Sequence, residues 1–138
     1  MTLLKNLVNR QRRVVSISPR ATVRDAAKAM AEANVGCAAV LHGRKLVGMF
    51  TERDILKRVL LRNLDVDETA VETVMTTAII CAQAEQTARD ARLLMQRHHI
   101  RHLPVLDAEG SMIGMLSIRD LIQDEVQEVR DYMALAEG

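Results

Sequence analysis

The sequence predicts a mixed α/β (α+β) fold: two β-α-β-β-α repeats related by a pseudo-twofold axis, with a long C-terminal helix. Three observations carry this. First, the chain is written twice. Thr22-Val-Arg-Asp25-Ala26, Met30 and Val40-Leu41 recur as Thr87-Ala-Arg-Asp90-Ala91, Met95 and Val105-Leu106, and Gly48-Met-Phe-Thr51-Glu-Arg53-Asp54 recurs as Gly114-Met-Leu-Ser117-Ile-Arg119-Asp120. A long period with one unit per half marks tandem copies of one supersecondary motif. Second, within each copy short apolar runs alternate with segments of helical spacing. Third, neither copy is long enough to bury a stable core alone, so the 138 residues should form one compact unit.

The elements follow in order. Val14-Val15-Ser-Ile17 is a β-branched run closed by Ser18-Pro19. Thr22 opens a helix with Val23, Ala26, Ala27, Met30 and Ala33 on one face. Residues 35–41 and 46–50 read as strands joined by the Gly-bearing loop His42-Gly43-Arg44-Lys45. Thr51 caps a second helix to about Leu61. The second copy repeats the plan: a strand over 78–82, a helix over 87–98, strands over 100–106 and 112–116 around the turn Asp107-Ala-Glu-Gly110, and a final helix from Ser117 to about Ala136. The expected organisation is a first repeat with the N-terminal segment over 1–61, a connector over 62–77, and a second repeat over 78–138. Within the connector, Val71-Glu-Thr-Val-Met75-Thr reads as a short docked turn.

Composition narrows the function classes. Apolar residues make up 49% and charged residues 27%, and the net charge of +1 sets up no field that recruits a polyanion. The basic run Arg10-Gln-Arg12-Arg13 is local and reads as a solvated edge. With no Trp, one Phe and one Tyr, the chain cannot build the stacked aromatic platform of single-strand nucleic-acid binders. No apolar stretch approaches a membrane span, and the first residues lack the layout of a secretory signal. Cys37 and Cys81 form no C-x-x-C pair and fit a reducing compartment as small apolar residues; cytoplasm is the expected location.

The sharpest motifs are Thr51-x-x-Asp54 and Ser117-x-x-Asp120. A hydroxyl residue followed three positions later by an acid is also a capping box, which satisfies amides at a helix start. Thr22-x-x-Asp25 and Thr87-x-x-Asp90 read simply as caps. The other two follow apolar strands ending Gly-Met-apolar, so hydroxyl and carboxylate emerge together at a strand-to-helix junction. There a carboxylate can accept both hydrogen bonds of a cis-diol. Arg101-His102 interrupts the apolar pattern at a strand start where the first copy has Gly36-Cys37, and an arginine so placed suits a phosphate. His98, His99 and His102 lack the Cys or carboxylate partners of a tetrahedral metal site. No nucleophile–base–orienter set or Gly-rich phosphate loop is visible, so binding is expected rather than catalysis.

These residues, in order and duplicated, resemble the tandem cystathionine-β-synthase (CBS) domain pair, or Bateman module, over essentially the whole chain. The matching marks are Val15-Ser-Ile-Ser-Pro19-x-x-Thr22-Val, Gly48-Met-Phe-Thr51-Glu-Arg53-Asp54, Val74-Met75-Thr76, Ile100-Arg-His-Leu-Pro-Val105 and Gly114-Met-Leu-Ser117-Ile-Arg-Asp120. The overall look is that of small stand-alone bacterial CBS-pair proteins, which end in a long helix with a Tyr, here Tyr132.

The resemblance implies repeats packed through their sheets and two clefts for adenosine-containing ligands: AMP, ADP, ATP, NAD or S-adenosylmethionine. Asp54 and Asp120 would hold ribose hydroxyls with Thr51 and Ser117 beside them. Val15, Met49, Ile80 and Met115 would line the base, with Ile80 in the Asp54 cleft and Val15 in the Asp120 cleft. Arg101, His102 and Arg119 would reach phosphate in the Asp54 cleft and Arg53 in the other. Three positions depart from the pattern: Ala84 replaces an expected proline, Arg119 stands where relatives often carry Gly, and Gly36-Cys37 supplies no cation. The Asp54 cleft is therefore the better candidate for a charged nucleotide. The function so implied is a non-enzymatic, homodimeric adenine-nucleotide sensor acting on an unidentified partner. The alternative is a regulatory subunit working by protein contact, with clefts that are structural only. A redox or metal-dependent enzyme using the cysteines and histidines is the third reading.

Overall fold

A computed structural model describes residues 2–8 and 14–137, and the basic run Arg10–Arg13 lies outside them. The chain is mixed α+β, with two three-stranded sheets and a long C-terminal helix. It divides into two compact units. Among the described residues one takes 14–79 and Gly110–Met112, and the other takes 2–8, 80–109 and 113–137. Among these residues no helix is long and apolar enough to cross a membrane.

The unit of the first repeat is built from β1 (Ser16–Ile17), α2 (Val23–Ala33), β2 (Cys37–His42) and β3 (Lys45–Thr51). Its sheet has the order β1-β2-β3, with β1 parallel and β3 antiparallel to β2. The Thr22 hydroxyl accepts from the Asp25 N–H and starts α2, and Asn34, left-handed at φ 55°, stops it. Asn tolerates that conformation better than most residues. Phe50, Val23, Ala26, Val40, Val59 and Val71 fill the core. The helix opened by Thr51 begins as α3 (Glu52–Asp54) and continues π-wound over Ile55–Leu60. The wider winding shows in the i→i+5 bonds from Leu61 N–H to Leu56 O and from Leu64 N–H to Val59 O, both 3.1 Å. Such bulges are rare and concentrate at functional sites.

The second unit follows with β4 (Ala82–Gln83), α4 (Ala88–His98), β5 (His102–Leu106), β6 (Met112–Ser117) and α5 (Ile118–Glu137). Registers agree between units: Ala82 lies opposite Val105 as Ile17 lies opposite Val40. His99 takes the place of Asn34, left-handed at φ 53°, so it serves as the stop of α4. The strand expected over 78–82 is shorter and lies later, at Ala82–Gln83. The Ile79 N–H bonds to Thr77 O at 3.0 Å, a tight turn that takes the backbone out of ladder geometry just where the strand was expected to start.

A further difference concerns the N-terminal segment, which was expected to accompany the first repeat. It packs with the second. Residues 4–8 form a one-turn helix, α1 (Leu4–Val8), whose Leu4, Leu7 and Val8 are buried in the core of Ala91, Met95, Leu103, Val105, Leu116 and Leu121. Its bonds reproduce those of the connector in the other unit. Leu3 bridges Thr87 as Ala70 bridges Thr22, Leu4 N–H bonds Gln86 O as Val71 N–H bonds Ala21 O, and Ala88 N–H bonds Thr2 O as Val23 N–H bonds Thr69 O. Each unit is thus one repeat plus one apolar turn, and the connector turn (Val71–Thr73) docks as expected, with Val71 and Val74 buried.

Candidate functional site

The Asp54 motif sits where β3 hands over to α3. Thr51 is extended (φ −120°, ψ 164°), which lets its hydroxyl accept the Asp54 N–H at 3.2 Å while its own N–H donates to Asp54 Oδ2 at 3.0 Å. This is a complete capping box. The same box closes at Ser117–Asp120, with the Ser117 N–H 2.7 Å from Asp120 Oδ2, and at Thr87–Asp90. Capping geometry therefore does not by itself set the two motif sites apart from the plain cap.

What sets Asp54 apart is a second segment. Met49 and Thr76 exchange backbone hydrogen bonds of 2.9 and 2.8 Å, which pins residues 75–76 beside β3. The Thr76 hydroxyl then lies 3.1 and 3.2 Å from the two oxygens of Asp54. Arg58, one turn along the helix, donates from Nη1 to Met75 O at 2.9 Å and holds Nε 3.6 Å from Asp54 Oδ1. Gly48 makes this approach possible, because a Cβ there would stand 2.2 Å from Met75 Sδ. Asp54 is only 5% exposed, one of two buried charged residues among those described. A carboxylate has about four acceptor positions, and one hydroxyl proton and one amide fill two of them, so Asp54 keeps capacity for a further donor.

The Asp120 motif is assembled within the other unit. The Ile118 N–H donates to Arg101 O at 3.0 Å, placing Arg101 and His102 at the mouth of β5 beside the start of α5. Glu52 N–H to Gly36 O, also 3.0 Å, is the counterpart. There the Glu52 carboxylate leaves little room, since a Cβ on Gly36 would lie 3.3 Å from Glu52 Cδ. In the second repeat Ile118 replaces Glu52 and an arginine is accommodated. Asp120 is half-buried, and Arg101 and Arg119 are exposed.

The remaining sequence-predicted residues fall into place unit by unit. Thr51, Arg53, Asp54, Met49 and Val15 belong to the first-repeat unit, with Met49 buried, Arg53 exposed, and Val15 packed on the core while its carbonyl accepts the Ala39 N–H. Ser117, Asp120, Met115, Ile80, Arg101, His102 and Arg119 belong to the second, where Met115 is buried and Ile80 packs on the core. Sequence reasoning missed Thr76 and Arg58 as parts of the site. Arg58 stands four residues after Asp54, the spacing of a helical ion pair, and was legible on that ground. Thr76 is 22 residues away, and although it belongs to the mark Val74-Met75-Thr76, nothing local links it to Asp54. Asp124, in the place of Arg58 in the repeat, was also missed; it is buried and accepts from the Thr2 hydroxyl at 3.2 Å. Burial, with Glu52 adding to it, pushes the Cys37 thiol up to about 11.

Comparison with known proteins places this geometry in context. The family model for the CBS domain matches twice, over residues 5–61 and 71–126. The CBS domain-containing protein YhcV of Bacillus subtilis is 32% identical over 126 residues, covering 91% of this chain and 87% of that protein. Three longer CBS proteins of Arabidopsis thaliana also match, and this chain spans only 21–24% of their length. Among solved structures, the CBS domain protein NE2398 superimposes with a TM-score of 0.81 at 36% identity, covering 91% of this chain and 98% of that one. The CBS domain protein PAE2072 of Pyrobaculum aerophilum, solved with AMP, gives 0.76 at 31% identity over 86% of this chain and 88% of that one.

Proposed function

The chain belongs to the CBS domain family, which it matches as a tandem pair, and from that premise we propose that it senses adenosine-containing nucleotides at its Asp54 and Asp120 motifs. CBS pairs are regulatory modules. In this reading Asp54 and Asp120 accept the ribose hydroxyls beside Thr51 and Ser117. Arg53, Arg101, His102 and Arg119 supply cations for phosphate, and Val15, Met49, Ile80 and Met115 give aliphatic and thioether surface for the base. The ligand is regulatory and no covalent step is involved. The compartment this reading assumes is the cytoplasm, where thiols such as those of Cys37 and Cys81 stay reduced.

The observation that carries the reading is the state of Asp54. A helix cap does not need burial or a hydroxyl delivered from a distant segment, yet Asp54 has both. The Thr76 hydroxyl fills one acceptor position of the carboxylate as a sugar hydroxyl would, so one hydroxyl of a ribose diol can exchange for it while the other takes up the remaining capacity. The AMP complex of PAE2072, at 31% identity, supports the choice of ligand class.

Calorimetric titration of AMP, ADP, ATP and NAD into the purified protein tests it, together with mass spectrometry of small molecules released on denaturation. Saturable binding of at least one adenosine ligand is expected. Protein that arrives empty and binds none of the four refutes the sensor. The same geometry favours a second reading, because Thr51, Thr76 and Arg58 already engage Asp54. In it the cluster is structural and the protein regulates a partner by contact.

A further inference from the structure

The two repeats differ on the outer face of their strand-to-strand helix. In α4 that face carries the row Arg89, Leu93, Arg97, spaced four apart, where α2 carries Arg24, Lys28, Glu32. At about 100° per residue Leu93 points away from Ala91 and Met95, the residues α4 gives to its core. Leu93 is 50% exposed, Arg89 and Arg97 are exposed on either side of it, and Arg92 on the flank pairs with Glu125 of α5. Among the described residues no carboxylate forms an ion pair with Arg89 or Arg97. The counterpart on α2 is covered. There the connector lays Asp65-Val66-Asp67-Glu68 across the helix start: Val66 packs on the core, its carbonyl accepts the Arg24 N–H at 3.0 Å, and the Asp67 carboxylate takes the Arg24 guanidinium through both oxygens. The Arg24 hydrogen bond holds the Asp67 carboxyl below the usual carboxylate range, and the Lys28 charge adds to it. An acidic segment with an apolar side chain is the cover this scaffold already uses.

We propose that the Arg89–Leu93–Arg97 face of α4 is a docking surface for an acidic segment of a partner protein, one that sets an apolar side chain between carboxylates. Arg89 stands where Arg24 stands in the repeat, and Leu93 replaces the second cation of the row by an apolar contact. The occupant therefore needs carboxylates for the two ends and an aliphatic group for the middle. Each guanidinium fork can take a carboxylate through two parallel bonds, as Arg24 does. A nucleic acid would use the cations and leave Leu93 in water, and α4 carries no Phe, Tyr or Trp on which a base could stack. Exposed ion pairs contribute little each, so the leucine contact, once covered, is the anchor and the arginines set selectivity and encounter rate. Binding is thus weak and sensitive to salt. The surface lies within the second-repeat unit and does not rest on the nucleotide reading.

Nuclear magnetic resonance titration of the isotope-labelled chain tests it, with the synthetic peptide Leu-Asp-Val-Asp-Glu-Thr-Ala as probe. That is the connector sequence over 64–70, which on α2 is already supplied by the chain itself. Saturable amide shifts centred on Arg89, Leu93 and Arg97 are expected, with affinity falling about fivefold or more as salt rises from about 50 to about 300 mM. Leu93→Ser and Arg97→Glu should each weaken binding about tenfold with an unchanged circular dichroism spectrum, because both side chains are exposed. Lys28→Ser, at the matching place on α2, should leave it unchanged, and the peptide with its three acids replaced by lysine should not bind. Absence of shifts at about 1 mM peptide overturns the proposal, as does binding indifferent to Leu93→Ser, which would reduce the face to a cluster of cations. Tighter engagement of the same residues by a short DNA duplex or by phosphatidylserine vesicles overturns the choice of partner. Sedimentation in which Arg97→Glu dissociates an oligomer overturns it as well, by making the face a contact between copies of the chain.

Discussion

At the scale of single residues, two aspartates in the same local motif have different surroundings, and their substitutions should diverge. Asp90 is a cap: its carboxyl is held below the usual carboxylate range by the Thr87 N–H first and the Thr87 hydroxyl second. Asp90→Asn should lower stability modestly, as the loss of a helix-start carboxylate does, and leave AMP binding alone. Asp54→Asn removes a buried acceptor of charge-assisted bonds, each worth about 1.5–3 kcal/mol. If ribose binds there, affinity for AMP falls roughly 10- to 150-fold. Denaturant titrations with calorimetry on both variants separate the roles, and unchanged AMP affinity in Asp54→Asn reduces Asp54 to a cap. Proton linkage adds a check. A lowered carboxyl value means that Asp90 stabilises the fold above its ordinary value of 3.8 and loses that contribution as pH falls below it. Asp90→Asn should flatten that acid limb. The Cys37 thiol moves the other way: unfolded chains ionise from 9.0 upward while the folded thiol holds its proton to about 11. Stability should therefore fall between those values, and less so in Cys37→Ala.

At the scale of elements, the repeat is completed by turns that lie outside its obvious boundaries. Leu4 is fully buried in the second-repeat core. Leu4→Ala should thus cost about 2–5 kcal/mol, the range for a buried leucine truncated to alanine, although it lies near the chain start, where change is usually tolerated. A loss under 0.5 kcal/mol in urea unfolding would mean that α1 is not docked. The pairing of Met75-Thr76 with β3 depends on Gly48. Gly48→Ala forces Met75 aside and should cost about 1–3 kcal/mol, as overpacking does. Adding Met75→Ala should recover part of that loss, and a double-mutant cycle with no coupling would deny the contact. The π-wound turn after Asp54 is the local expression of the same arrangement, since it carries the Arg58 side chain that reaches Met75 O.

At the scale of the whole molecule, a regulatory module is expected to report its ligand through stability. A ligand bound only by the folded chain stabilises it by about 2.7 kcal/mol at one hundred times Kd. AMP, ATP or NAD should raise the melting temperature, and GMP should raise it less if the base edge is read. Equal shifts with AMP and GMP would leave no adenine specificity to explain. Because the core of each unit is separate and each contains one motif, Asp54→Asn and Asp120→Asn should act on separate binding events. A two-step titration collapsing to one step in either variant is the expected signature.

Much of this was legible in the chain because its information is local and repeated. The two repeats, the caps at Thr22, Thr51, Thr87 and Ser117, the glycine turns and the long last helix each follow from a pattern within a few residues, and duplication doubles every such signal. The family resemblance rests on the same short marks. What the sequence left open is what depends on partners distant along the chain. The 78–82 strand shifted because a turn at Thr77–Ile79 intervenes, and the first helix formed because five residues met a core made by residues 82–121. Thr76 became part of the Asp54 cluster only through a backbone bridge to Met49, made possible by the missing side chain of Gly48. Short-range patterning determined the helices and strands that the two repeats share. Long-range contact decided which segment completes each unit and what surrounds the carboxylate of Asp54, since burial and approach distance are properties of the folded chain and not of any window of its sequence.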